Sequence, residues 1–318
     1  MLIKIAKPWE IPERFATPEH VYLNRRAFLK AAGVTAFSLI AGCSPGQAEK
    51  SAAQTPLNDP TADLYPAKRN SKYVLDRPLT KEEVAAKYNN YYEFTDQKDV
   101  YRYIDRFKIR PWTIEAKGLV KKPKVHGIDE LIRQLSLEER LYRHRCVEAW
   151  SMAVPWTGFP LAAFIKLVEP LSTAKYVRMV SFMKPEEAPG QKSYRWYPWP
   201  YYEGLTMEEA TNELAFLVTG IYGHPLTVQH GSPIRLATPW KYGYKSIKGI
   251  VRFEFVDKQP PTFWNDLAAN EYAFISNVNP RIPHPRWSQA SERVLDTDER
   301  VPTLLYNGYE QFVGKLYG

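Results

Sequence analysis

The segment around Cys146 holds the residues of this sequence that are best suited to chemistry. Arg143, His144 and Arg145 precede the cysteine, and Glu148 follows it by two residues. Nearby cations favour a thiolate, which is a soft ligand for a redox metal. In an extended segment Glu148 would point to the same side as Cys146, either as a proton-handling group or as a salt-bridge partner of Arg145 or Arg143. The segment therefore predicts either a metal site or a buried structural cysteine beside a basic strip.

The cysteine count narrows the alternatives. Cys43 and Cys146 are the only cysteines, and Cys43 falls within an N-terminal signal, so the folded domain has one thiol and no internal disulfide. A lone thiol in an oxidising compartment is expected to be buried, modified or bound to a metal.

Residues 1–48 have the layout of a twin-arginine export signal. Arg25 and Arg26 precede Lys30, and the uncharged run 31–41 that follows is too short to cross a membrane. Proteins on this route cross the membrane folded, commonly with a cofactor already inserted. The signal therefore predicts a periplasmic protein that carries a cofactor.

The sequence is compatible with two cleavage sites for the signal. Cys43 lies in a sequence that resembles a lipoprotein cleavage box, in which case it would be lipidated and would tether the protein to the membrane. The alternative is ordinary cleavage near Ala48. Residues 49–70 read as a linker because they are rich in Ala, Ser, Pro, Lys and Asp, and residues 71–318 read as one folded domain.

Composition and motifs exclude several classes of protein. The formal net charge is +8, without the basic stripe that indicates nucleic-acid binding. The sequence lacks the glycine-rich, Walker, zinc-finger, zincin and serine-hydrolase motifs. It also lacks a Cys-x-x-Cys-His haem attachment, so redox chemistry would need electrons from another protein.

The elements that must position these residues indicate an α+β domain with a mixed or antiparallel sheet. Strands are predicted at residues 112–116, 175–183 and 247–256. In the last of these, Ile250 is an apolar residue on the face that is otherwise mostly polar. Helices are predicted at 128–135, at 160–170 and after Thr206, where Thr206 and Glu209 form a capping box. The aromatic run 193–202 could form the wall of a substrate funnel or simply pack the loop onto the domain.

Seven ordered motifs give the chain a resemblance to a known family. They are residues 89–94, 146–151, 189–191, 233–236, 239–248, 277–280 and 284–290. Together they resemble the catalytic subunits of molybdenum-dependent periplasmic protein-methionine-sulfoxide reductases, within the sulfite oxidase fold family. The resemblance runs from about residue 71 to the C-terminus and implies a β-rich, mixed-sheet, molybdopterin-binding domain.

The resemblance also implies a cofactor and its ligands. Cys146 would bind molybdenum, and the remaining sulfur ligands would come from one molybdopterin without a nucleotide. The implied cofactor contacts are Asn89, Tyr92, Glu93, Ser181, His230, Arg235, Ser246, Ile247 and Lys248. Ser181 replaces the usual Thr and keeps its hydroxyl, whereas His230 replaces the usual Asn with a titratable ring. Arg235 and the stretch 246–248 would bind the phosphate, although such charges are more often solvated.

The implied activity is the reduction of methionine sulfoxide in exported proteins by oxygen-atom transfer. The electrons would come from a membrane haem-binding subunit. Cys146 would bind the metal, and Glu148 is the candidate proton-handling residue beside it. Two rival functions are a sulfite dehydrogenase of the same fold, which needs a small cationic pocket, and a non-catalytic peptide-binding lipoprotein. No nucleic-acid partner is expected.

Overall fold

Two β-sheets organise the computed structural model, which describes residues 59–318. The strands are β1 Thr113–Gly118, β2 Lys124–Gly127, β3 Glu138–Arg145, β4 Trp150–Pro160, β5 Tyr176–Ser181, β6 Tyr202–Thr206, β7 Phe216–Ile221, β8 His224–Pro225, β9 Arg235–Ala237, β10 Ile250–Val256, β11 Ser291–Val294 and β12 Arg300–Pro302. The α-helices are α1 Glu82–Lys87, α2 Ile128–Gln134, α3 Leu161–Val168, α4 Pro189–Ser193, α5 Met207–Thr211, α6 Phe263–Leu267 and α7 Glu310–Val313.

Both sheets are mixed. The five-stranded sheet has the order β2-β1-β10-β5-β6, in which only β1 and β10 run parallel. The seven-stranded sheet has the order β12-β11-β4-β7-β8, with β3 paired to β4 and β9 paired to β7. All of β7 and almost all of β4 are buried, so these strands are covered on both faces. The prediction of an α+β domain with a mixed sheet is confirmed.

Local sequence signals account for several helices. Ile128, Leu131 and Ile132 are buried on one face of α2, as their spacing predicts. The backbone N–H of Glu209 donates to the Thr206 hydroxyl at 3.1 Å, and the Thr206 N–H donates to the Glu209 carboxylate at 3.0 Å. The predicted capping box therefore starts α5.

The strand predicted at 247–256 begins later than expected. The register of β10 against β5 shifts between Ile250 and Arg252, and Ile250, Phe253 and Phe255 are the buried residues. This bulge explains why Ile250 interrupts the alternation. Residues 247–249 lie outside the strand, in a loop that contributes to the site described below.

The folded domain also begins earlier than residue 71. Arg110 pairs with Asp59 at 3.3 Å, and the Tyr65 hydroxyl donates to the Thr219 side chain at 2.8 Å. Arg69 pairs with Glu139 of β3 at 2.6 Å. Residues 59–70, assigned to the linker from composition, therefore pack against the domain. The sequence did not predict this packing, because single polar contacts leave no periodic pattern.

The predictions for the N-terminal segment lie outside the described residues. These are the twin-arginine signal, the fate of Cys43 and the linker up to residue 58. Between residues 59 and 318, no helix is both long enough and apolar enough to cross a membrane.

Candidate active site

Cys146 lies in the turn of a β-hairpin. Strand β3 ends at Arg145 and β4 begins at Trp150, and the Cys146 N–H donates to the Trp150 carbonyl at 2.9 Å. Ala149 closes the turn with a φ of 62°, in the left-handed region. Long pairing between β3 and β4 thus fixes the position of the thiol.

The arginines beside Cys146 do not face the thiol. Side chains alternate along β3, so Arg143 and Arg145 point to the face opposite to Cys146. Arg143 pairs with Asp76 at 2.5 Å and Arg145 pairs with Glu292 at 2.9 Å. The alternative that either arginine pairs with Glu148 is therefore wrong. Of the two, only Arg145 favours the thiolate, because its charge lowers the pKa of Cys146 by a small contribution that burial outweighs.

The Cys146 sulfur accepts two weak hydrogen bonds. Asn90 Nδ2 donates to Sγ at 3.4 Å and the Glu148 backbone N–H donates at 3.5 Å. Burial, and next the charge of Glu148, raise the pKa of the Cys146 thiol to about 12. The thiol is thus protonated in the absence of a metal, and binding a metal would release its proton.

Glu148 forms an ion pair with a residue that sequence analysis missed. Its Oε2 lies 2.5 Å from Lys98 Nζ and accepts a hydrogen bond from Trp150 Nε1 at 3.0 Å. Burial opposes ionisation, but the hydrogen bond and charge of Lys98 outweigh it and lower the pKa of Glu148. Lys98 is 50 residues away in sequence, so no local pattern identifies it.

Cys146 and Glu148 open into a cavity of about 460 Å³, which we call the thiol cavity. Nine of the predicted site residues line it: Asn89, Tyr92, Glu93, Cys146, Glu148, Arg235, Ser246, Ile247 and Lys248. The volume lies in the range of small-molecule and cofactor sites. The structure therefore brings together residues that are up to 159 positions apart in sequence.

Two cations line the thiol cavity without a carboxylate partner. The buried Arg235 guanidinium donates to the carbonyls of His230, Leu236 and Ser246 at 3.0–3.2 Å. Lys248 Nζ donates to the Asn90 carbonyl. Within residues 59–318 no carboxylate forms an ion pair with either cation. Burial, and next the charge of Arg235, lower the pKa of Lys248, and the nearby Glu93 carboxyl acts in the opposite direction. An anion bound here would raise this pKa and so favour the charged ammonium.

Ser181 and His230 do not line the thiol cavity. The Ser181 hydroxyl donates to the Lys248 carbonyl at 2.8 Å. His230 is buried, its ring contacts Thr227 Oγ1 at 2.7 Å, and its carbonyl accepts from Arg235. Both residues therefore contact the two basic residues through backbone carbonyls, and direct cofactor contacts of their side chains stay a prediction.

The segment 89–93 is held in place from two sides. Asn89 Nδ2 donates to the carbonyls of Ala85 and Ala86 at the end of α1, at 3.1 and 3.0 Å. On the other side, a Cβ on Gly190 would lie 2.1 Å from the Tyr92 carbonyl oxygen. Glycine is thus required at position 190 for the close approach of α4.

Aromatic side chains surround the mouth of the thiol cavity. Tyr197 and Tyr201 of the aromatic run line it, whereas Trp199 packs on Phe263 with ring centroids 5.2 Å apart. Part of the run therefore lines the cavity and part packs on the domain, and its role as a substrate funnel stays a prediction. Sequence analysis assigned no role to four further lining residues, Trp264, Tyr272, Arg286 and Trp287. The motif 284–290 contained two of them.

Comparison with known proteins gives the class of the domain. Residues 101–264 match the oxidoreductase molybdopterin binding domain. The chain is also 16% identical to a solved structure of the sulfane dehydrogenase SoxCD from Paracoccus pantotrophus, with a TM-score of 0.42, covering 71% of this chain and 59% of that one. The domain is thus a molybdopterin-binding oxidoreductase domain by its family match.

Full-length relatives define the family more narrowly. The chain is 46% identical to the protein-methionine-sulfoxide reductase catalytic subunit MsrP of Burkholderia mallei, over 97% of this chain and 93% of that protein. It is 45% identical to the MsrP of Ralstonia nicotianae, over 100% of this chain and 97% of that protein. The chain belongs to the family of protein-methionine-sulfoxide reductase catalytic subunits.

The residues present fit a molybdenum-molybdopterin cofactor. A soft sulfur donor, Cys146, and two cations without carboxylate partners line the same cavity. The hydroxyl of Tyr91, a residue that also lines the cavity, is buried and has no hydrogen-bond partner among residues 59–318. An acceptor in the cavity would satisfy this hydroxyl.

The buried ring of His230 predicts a pH dependence of stability. Burial, and next the charge of Arg235, lower the pKa of His230 to about 3, so the folded chain keeps the ring neutral. The unfolded chain protonates it near pH 6.5, so its contribution to stability is present above that pH and is lost as the pH falls towards 3. Between pH 7 and 4.5, we expect the wild-type free energy of unfolding to fall by about 2 kcal/mol more than that of His230→Asn.

Denaturant unfolding of both proteins at the two pH values measures this difference. Each protein is compared with itself at pH 7, so any change in the free energy of unfolding that the substitution causes at both pH values cancels. Equal losses in the two proteins would show that the ring is not held neutral.

Proposed function

We propose that this protein reduces methionine sulfoxide in exported proteins, with molybdenum bound by Cys146 and by one molybdopterin without a nucleotide. The observation that carries the proposal is the thiol cavity, which combines the Cys146 thiol with two cations that lack carboxylate partners in a chain of this family. When bound, molybdenum supplies a Lewis acid for the S=O bond and a two-electron donor.

The residues of the chain divide the remaining tasks. Arg235 and Lys248 hold the cofactor phosphate. Three backbone carbonyls accept hydrogen bonds from the Arg235 guanidinium and fix its orientation in the thiol cavity. Asn90 orients the Cys146 sulfur. The Lys98 ammonium, 2.5 Å from the Glu148 carboxylate, would hold one of the two protons that the release of oxygen as water consumes, close to the Cys146 sulfur, and solvent would supply the other.

The charges that remain for a substrate favour a neutral molecule over sulfite. Arg235 and Lys248 are assigned to the cofactor phosphate, Arg286 of the thiol cavity is paired with Glu271 at 2.6 Å, and Lys98 is paired with Glu148. Sulfite is a dianion that needs unpaired cations near the metal, whereas a sulfoxide is polar and uncharged. The aromatic rings of Trp264, Tyr272 and Trp287 offer apolar surface to a methionine side chain.

An assay with an artificial reductant tests this function. The purified protein should reduce free methionine sulfoxide and oxidised protein and should oxidise sulfite little. Cys146→Ala should remain folded by circular dichroism and lose turnover by roughly a hundredfold or more, because the protein sulfur ligand of the metal is removed. Efficient sulfite oxidation without sulfoxide reduction would favour the sulfite dehydrogenase, and protein without molybdenum would favour the binding lipoprotein.

The proposal includes export and an electron donor. Arg25 and Arg26 support folded export to the periplasm, and the lack of a haem-attachment motif in the sequence supports a membrane haem-binding subunit as donor. Replacing both arginines with Lys should leave the protein in the cytoplasmic fraction. Unchanged periplasmic yield would refute this route, and the mass of the mature N-terminus would show whether Cys43 is lipidated.

A further inference from the structure

A second cavity of about 380 Å³, which we call the side cavity, lies next to the thiol cavity. Both are lined by Val147, the residue after Cys146, and by Tyr244. The side cavity is also lined by Ile275 and Ile282, whose exposed fractions are 38% and 64%. Exposed apolar side chains at a concave site mark a surface suited to binding another apolar group.

Side chains that line one cavity contact side chains that line the other. Trp287 lines the thiol cavity and stacks on His284 of the side cavity, with ring centroids 3.8 Å apart and an interplanar angle of 10°. Arg286 of the thiol cavity pairs with Glu271 of the side cavity. Trp287 Nε1 donates to the Val147 carbonyl at 2.7 Å, which fixes the Trp287 ring to the turn that carries Cys146.

We propose that the side cavity binds an apolar side chain of the polypeptide substrate, two residues away from the methionine sulfoxide. This inference rests on the proposed function. A sulfoxide that reaches the thiol cavity remains attached to its backbone, so neighbouring residues must lie at the mouth. In an extended chain, residues two apart point to the same side and are about 7 Å apart, so the second one also faces the protein.

The chemistry of the side cavity specifies the type of residue. Its carboxylate, Glu271, is already paired with Arg286, so it offers no unpaired charge to a basic residue. Tyr306 and Tyr317 stack with ring centroids 5.5 Å apart and, with Ile275 and Ile282, supply apolar surface. A Leu or Phe would bury apolar area here, whereas an Asp would lose hydration without gaining a cation.

Two sets of matched peptides test the inference on the cofactor-loaded enzyme. Each peptide contains one methionine sulfoxide, and the residue two positions before or after it is either Leu or Asp. For one of the two positions, we expect kcat/KM of the Leu peptide to exceed that of the Asp peptide by about tenfold, mainly through KM. Calorimetric binding of the corresponding reduced peptides should give the same preference.

The variant Ile282→Asp should abolish this preference and leave the reduction of free methionine sulfoxide unchanged. Val125→Asp is the matched control, because Val125 has a similar exposed fraction of 58% and lies on β2, away from both cavities. It should behave as the wild type.

Equal kcat/KM for the Leu and Asp peptides at both positions would overturn the inference and leave the proposed function intact. The same conclusion follows if Ile282→Asp retains the preference. A wild-type enzyme that reduces neither the peptides nor free methionine sulfoxide would overturn the proposed function, and the inference with it.

Discussion

The structure depends on holding two basic side chains, Arg235 and Lys248, in one cavity with a thiol, where neither forms an ion pair with a carboxylate of residues 59–318. Desolvating a cation is unfavourable unless polar groups replace the lost water. Here the carbonyls of His230, Leu236 and Ser246 serve Arg235, and the carbonyl of Asn90 serves Lys248. Carbonyl groups solvate a cation without neutralising it, and an anionic ligand near Lys248 would favour its charged form against the effect of burial.

This requirement explains why irregular backbone surrounds the site. Carbonyl groups inside a sheet are already hydrogen-bonded, whereas loops can direct theirs at a side chain. The loops 228–234 and 243–249 provide the carbonyls of His230 and Ser246, and the segment after α1 provides that of Asn90. Only the Leu236 carbonyl belongs to a strand, the three-residue β9. The hairpin of β3 and β4 has the complementary role, because its long pairing holds Cys146 rigidly while Arg143 and Arg145 anchor the opposite face.

Local patterns in the sequence predicted those features that depend on residues close together in the chain. The buried face of α2, the capping box of α5 and the α+β class follow from spacing. Family motifs identified nine of the cavity residues, although spacing alone left Cys146 open between a metal ligand and a structural cysteine. The pairing of Lys98 with Glu148 and the positions of Ser181 and His230 depend on long-range contacts, so no local pattern contains them. Arg143 and Arg145 point away from the thiol because of strand alternation, but no strand was predicted at 138–145.

The cofactor content of the purified protein tests the central claim most directly. The account predicts one molybdenum and one molybdopterin per wild-type chain, without nucleotide. In Lys248→Met, loss of a charged hydrogen bond to phosphate should weaken cofactor binding by about tenfold. The exposed Lys192→Met serves as the control and should retain the wild-type content. Molybdenum-free wild-type protein, or a folded Lys248→Met that binds the cofactor as tightly as the wild type, would contradict the account.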